Sequence, residues 1–252
     1  MVKMDLLQDA KRRFIAQLKA CYGENDPDLK SEVVVTRALS TKEAIGDPGR
    51  DDFPLLRGKE ILMQASFKGA SGQAFSADAG NFQGSLDAVL ALPLQSIFER
   101  ALLVASMNSV LRYLNLVGGT VHCRNVGPKE CSLLLEHYLR EQKVMRVGLV
   151  GLQPALLEAM VKALGPERVM VSDLAEAGKE RYGVKILDGM DSEKMFEDCQ
   201  LVFVTGSTLV NGTIDGLMEN AQKHGTRMVF YGSTIAGAAI LLGLERWCPC
   251  ST

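Results

Sequence analysis

The stretch LVFVTGSTLVNGTIDG, Leu201–Gly216, changes character partway along. Leu201, Val202, Phe203 and Val204 are an unbroken apolar run, and Thr205, Gly206, Ser207, Thr208, Asn211, Gly212 and Thr213 follow. A short continuous apolar run is what a strand buried on both faces looks like, and such strands belong to parallel sheets covered by helices on either side. The residues after it are small and polar, as at a strand tip leading into a turn and a helix N-terminus, with Asp215 in the first helical turn.

The same pattern repeats outward from this point. From Val144 onward the chain reads VMRVGLVG, a helical PALLEAMVKALG, RVMVSD, a helical stretch from Leu174, VKIL, LVFVTG, a helix through LMENAQKHG, and RMVFYG. Apolar runs alternating with helix-length segments predict an α/β fold, a Rossmann-like doubly wound parallel sheet with its first strand central. The preceding residues differ in texture. A helix is expected from about Lys3 to Cys21, with Leu6, Leu7, Phe14, Ile15 and Leu18 on one stripe. SEVVVTRALS reads as a strand and EILMQASFKGASGQAFSA as two strands around a turn. IGDPGRDDFPLLRGKE reads as an irregular exposed loop. Helices follow at about Gln95–Leu114 and Pro128–Gln142. Strands first and helices afterwards predict a smaller α+β domain, so the expected domains are 1–143 and 144–252.

Composition narrows the function. The 252 residues are 47 % hydrophobic and 23 % charged with a net charge of −2, and no Lys/Arg run is present. That disfavours nucleic acid and anionic membrane surfaces as partners. The N-terminal residues read as an amphipathic helix rather than a targeting segment, and AGAAILLGL is too short to span a bilayer, so a cytoplasmic protein is expected. A homo-oligomer is compatible with these numbers.

Ligands of a doubly wound sheet bind beyond the carboxyl ends of its strands. The first tip is GLVGLQP, with Gly151 suited to a tight turn, but it is not GxGxxG, so nicotinamide dinucleotide binding is not expected and no cofactor is assigned. The second tip ends in Asp173, placed either to grip a diol or to cap the next helix. Thr205–Thr213 holds more polar groups than one cap needs, and YGSTIAG repeats the theme with Gly232, Ser233 and Thr234. Glu60 and Asn108 are the polar candidates of the preceding region; Asn108 interrupts the apolar helix ALLVASMNSVLRYL, where a bond to a neighbouring carbonyl is the ordinary outcome.

Six cysteines are too few for a disulfide scaffold. His122, Cys123, Cys131 and His137, with Cys248 and Cys250, match no structural zinc spacing and contain no CxxC pair. The sequence reading is therefore no disulfide and no metal ligand set. No P-loop or Ser/His/Asp order is readable either.

TGSTLVNGTIDG, Asp173 at the previous tip, YGSTIAGAAILLGLERWCP and GTVHCRNVGPKEC together resemble the putative heavy-metal chelation domain family. The resemblance implies an enolase-N-terminal-like domain followed by a Rossmann-like domain, partial similarity to Rossmann-like methyltransferases, and a site in the interdomain cleft. It implies a small polar ligand, in pterin-, flavin- or metal-chelator-type metabolism; the alternative is a protein that sequesters a metal or metal chelate without catalysis.

Overall fold

The computed structural model describes residues 5–22, 33–57 and 60–252. Helix α1 (Leu6–Tyr22) buries Leu6, Leu7, Phe14 and Leu18 of the stripe read from the sequence, with Ala10, and leaves Ile15 half-buried. Strands β1 (Val33–Ala38), β2 (Ile61–Phe67), β3 (Ala70–Ser76) and β4 (Phe82–Ser85) form an antiparallel sheet in the order β3-β2-β1-β4. Phe67 pairs with Ala70 across a two-residue turn. Lys68 and Gly69 both take positive φ there, which matches the turn to the twist of the strands. Short helices α2 (Thr41–Ile45) and α3 (Leu86–Leu90) flank this sheet.

The long helix α4 (Ile97–Tyr113) starts at a capping box in which Ser96 and Glu99 satisfy each other's backbone N–H groups. Every residue from Ala101 to Leu111 is buried, so this helix has no solvent face and must be central. It lies directly on β3. A Cβ on Gly72 would sit 2.1 Å from the Ser109 nitrogen, so only glycine permits the approach.

Helix α5 (Gly127–Gln142) leads into the second sheet. Its elements are β5 (Val147–Val150), α6 (Pro154–Leu164), β6 (Val169–Asp173), β7 (Glu180–Arg181), β8 (Val184–Asp188), α7 (Glu193–Asp198), β9 (Leu201–Thr205), α8 (Ser207–Asn211), α9 (Ile214–His224), β10 (Arg227–Tyr231) and α10 (Ala236–Leu242). The strand order is β10-β9-β5-β6-β8-β7, parallel except at β7, with β5 inside the sheet. Leu149, Val171, Phe203 and Val229 pack on one face with residues of α5 and α6. Val202, Val204 and Phe230 pack on the other face, in one continuous core with α9, α10, α4 and the antiparallel sheet. The result is a mixed α/β fold with a parallel-rich sheet and an antiparallel sheet. Among the described residues no helix is long and apolar enough to cross a membrane.

Three expectations change. The segment from Leu174 is not a helix: Asp173 Oδ1 accepts from the N–H groups of Ala175 and Glu176 and closes a turn. A hairpin follows, because Tyr182 and Gly183 both adopt positive φ between β7 and β8. The loop between Gly46 and Arg57 is not simply exposed, since Phe53 and Leu55 are buried against Ile45, Leu62 and Ala155. Finally β4, α3 and α8 are short elements without a period of their own to reveal them.

Candidate functional site

Strand order reverses at β5: the chain goes to β6 on one side and later returns to β9 on the other. That makes a crevice beyond the carboxyl ends of β5 and β9. A cavity of about 660 Å³ opens there, and residues of the antiparallel region, among them Phe53, Glu60 and Phe75, close its other side.

The tips converge on this cavity. Gly151, Asp173, Thr205, Ser207, Thr208, Asn211, Gly212, Thr213, Gly232 and Thr234 all line it, as does Glu60. Gly151 has φ +87°, and a Cβ there would meet the Thr205 methyl at 2.5 Å, so the turn and the close approach both demand glycine. Part of the polar surplus at Thr205–Thr213 is spent locally. The Thr208 hydroxyl donates to the Thr205 carbonyl at 2.7 Å, and the Thr205 and Ser207 hydroxyls lie 3.1 Å apart. The expected N-cap is corrected: Thr213 occupies the position with helical backbone angles and no side-chain cap bond, while Gly212 ends α8 in the left-handed region. Asp215 instead accepts from the N–H of Leu6, tying α9 to the start of α1. Asn211 makes no side-chain hydrogen bond among the described residues and lines the cavity.

Glu60 and Asp173, two of the carboxyl residues lining this space, differ in their surroundings. Asp173 is held by three backbone N–H groups: Leu152 on Oδ2 at 2.7 Å, and Ala175 and Glu176 on Oδ1. It therefore braces the loop after β5 from the tip of β6, and a helix cap is not its role. Glu60 has no hydrogen-bond partner among the described residues. Burial, and then the negative charge of Asp173, push its carboxyl up to about 7. Tyr231 stands beside both carboxyls. Its hydroxyl donates to the Gly151 carbonyl at 2.7 Å, and burial raises its pKa well above the ordinary value.

Three named candidates lie outside the cavity. Asn108 is fully buried; its Nδ2 contacts the carbonyls of Gln73, Ser233 and Thr234 at 2.9–3.1 Å, and its Oδ1 accepts from the Gly237 N–H at 2.7 Å. Every polar atom of the amide is used, so Asn108 joins α4 to β3 and to the loop after β10. Gly206 packs its backbone on Ile235, and Ser233 is buried with no hydrogen-bond partner for its hydroxyl among the described residues. Thr234 does line the cavity, but its hydroxyl accepts the Phe75 N–H at 3.0 Å and so ties the two sheets together.

Other cavity residues escape the strand-tip rule. Arg57 and Trp247 belong to no polar cluster in sequence, and His122, Cys123, Cys131 and Cys248 fail the zinc-spacing test while lining the same cavity. His122 packs edge-on against Phe75, its Nδ1 is buried without a hydrogen-bond partner among the described residues, and burial lowers its pKa to about 4. Burial likewise raises the Cys123 thiol to about 12. At the rim Arg50 pairs with Asp52 at 2.6 Å and Glu158 at 3.0 Å, and also donates to Tyr182, clamping the loop before β2 onto α6.

Residues 133–242 match the model of the family described as "Putative heavy-metal chelation". The match spans less than half of the chain and is a likeness of that segment to the family's domain. A member of unknown function from Pyrococcus horikoshii superposes with a TM-score of 0.52 at 14 % identity, over 91 % of this chain and 79 % of its own. At that identity the likeness shows a shared fold alone. Another member of unknown function, from Desulfitobacterium hafniense DCB-2, gives a TM-score of 0.49 at 16 % identity over 72 % of each chain. Comparison with curated proteins finds no match.

Proposed function

We propose that the chain binds a small polar heteroaromatic compound, of pterin, flavin or metal-chelator-related type, in a cleft between an enolase-N-terminal-like domain (1–143) and a Rossmann-like domain (144–252). One observation carries this reading. Glu60 presents a half-buried carboxyl to the cavity with no hydrogen-bond partner among the described residues, in surroundings that disfavour its charged form, and a ligand that pairs with it would relieve that cost. Ring N–H or amino groups pair with a carboxylate through two parallel hydrogen bonds. Phe53, Phe75 and Trp247 supply apolar wall for a planar ring, and Asn211 supplies a free amide. A phosphorylated tail on the same compound would be met by Arg57 and Arg181, the cationic lining residues.

Glu60 is also the residue to move a proton, because a carboxyl that titrates near 7 can give or take one at neutral pH. The test is a panel of pterins, flavins and nucleotides measured by thermal shift on the wild type and on Glu60→Gln. A heteroaromatic compound should raise Tm in the wild type and lose about 1–3 kcal/mol of binding in Glu60→Gln. Shifts equal in both proteins would remove Glu60 from the site. The second reading, a protein that holds a metal or chelate without catalysis, draws support from the family description and from the thiols in the cavity wall.

A further inference from the structure

We propose that residues 46–57 are a strap across the cavity, and that Arg50 is the catch that holds it shut. The proposal rests on the binding reading only for what the opening would admit. Asp52, Phe53, Pro54, Leu55 and Arg57 line the cavity, so this one segment supplies a continuous stretch of its wall. Its anchorage is uneven. At the start, the Asp47 N–H donates to Asn125 Oδ1 at 3.1 Å, and Gly46 packs on that same oxygen, where a Cβ would lie 2.1 Å away. Gly49 also takes positive φ, +68°, but an added Cβ there would have nothing within 4 Å. A residue with that backbone freedom and open space around it is suited to be the hinge.

Beyond the hinge, two kinds of contact hold the strap. Phe53 and Leu55 are its buried apolar anchors, against Ile45, Leu62 and Ala155. Arg50 supplies the polar one. Its Nε and Nη2 donate to the two oxygens of Asp52 at 2.6 and 2.8 Å, a bidentate pair that fixes the guanidinium within the strap. The same guanidinium then reaches across. Nη1 donates to Glu158 of α6 at 3.0 Å, and Nη2 to the Tyr182 hydroxyl in the turn between β7 and β8. Its Cζ lies 5.5 Å from the centre of the Phe53 ring, so the polar and apolar anchors are one cluster. Arg50, Asp52 and Glu158 are 27, 19 and 29 % exposed, and partly buried ion pairs are screened less than open ones. Two buried side chains and one ionic catch are few contacts for residues 46–57. A segment held so sparsely opens without global unfolding.

Opening can be read from thiols the chain already carries, with no ligand added. Cys123 and Cys248 line the cavity, Cys199 is buried outside its wall, and Cys21 is exposed on α1. The full-length chain is treated with fluorescein maleimide under native conditions, and each site is followed by mass spectrometry. Cys21 should react first, Cys123 and Cys248 later, and Cys199 last. Arg50→Ala should speed Cys123 and Cys248 by about tenfold or more, the worth of a hydrogen bond between charged groups, and leave Cys199 unchanged. Glu158→Gln should act in the same direction more weakly, and serves if Arg50→Ala folds poorly. Cavity thiols as fast as Cys21 in the wild type would mean that no strap is shut. Unchanged cavity rates in the variants, or a rise that Cys199 matches, would equally overturn the proposal. These outcomes are independent of any heteroaromatic ligand at Glu60, whose failure would show in the thermal-shift panel instead.

Discussion

Glu60 and His122 line one cavity and titrate in opposite senses, and the chain's pH dependence depends on the balance. Glu60 binds its proton more tightly when folded, with a pKa near 7 against 4.5. Its contribution to stability is therefore present below pH 4.5 and is lost as pH rises to about 7. His122 is held neutral when folded, with a pKa near 4 against 6.5, so its contribution is present above pH 6.5 and is lost as pH falls toward 4. The two slopes oppose each other between about pH 4.5 and 6.5. Glu60→Gln should remove one of them: stability should gain on the order of 1–3 kcal/mol at pH 8, change little at pH 4.5, and rise with pH in between. Urea melts across that range check it, and an unchanged profile would show that Glu60 is already solvated. Asn211 gives a simpler expectation. With no side-chain hydrogen-bond partner among the described residues, Asn211→Ala should shift apo stability by no more than about 0.5 kcal/mol, and only the ligand-induced shift should shrink. A loss of about 1 kcal/mol without ligand would return Asn211 to a purely structural role.

Among the elements, the contact of α4 with β3 matters most. Gly72 lets the strand touch the helix backbone, with an added Cβ 2.1 Å from the Ser109 nitrogen and 2.5 Å from the Ala105 carbonyl oxygen. Backbone cannot yield as a side-chain tip can, so Gly72→Ala should cost about 3 kcal/mol or more. A lowered denaturation midpoint with unchanged m-value is the expected signature. Asn108, one turn along from Ala105, shows why this helix carries a polar residue at its centre: its amide satisfies carbonyls of β3 and of the loop after β10 together.

At the scale of the molecule, the two sheets share a core. Phe14, Met63, Phe67 and Leu103 belong to the same buried cluster as Val202, Val204, Phe230 and Ala238. The proposed boundary near residue 143 would therefore separate two topologies that share one core. Residues 144–252 expressed alone should expose the apolar surfaces that α4 covers, and should be insoluble or lack near-ultraviolet dichroism. A well-dispersed NMR spectrum from that fragment would refute this. The intact chain should unfold in one transition, coincident by fluorescence and circular dichroism.

The sequence by itself determined the kind and order of the main elements. The parallel strands at Val147–Val150, Val169–Asp173, Leu201–Thr205 and Arg227–Tyr231 stand where their apolar runs are. Burial on both faces leaves a continuous local pattern, and a glycine such as Gly151 marks a turn through its own backbone freedom. The sequence also named Asp173, Thr205, Ser207, Thr208, Asn211, Gly212 and Thr213 as strand-tip candidates, and these line the cavity, because strand tips are a local feature with a known place in this architecture. Tertiary structure alone decided the rest. It spent the amide of Asn108 on three separate segments, turned Tyr231 toward Gly151, and tied Thr234 to Phe75. It brought Cys123, Cys131 and Cys248 to one cavity, although their spacing along the chain matches no metal motif. Contacts between residues a hundred positions apart leave no periodic trace in sequence; they exist only once the core has fixed where each segment lies.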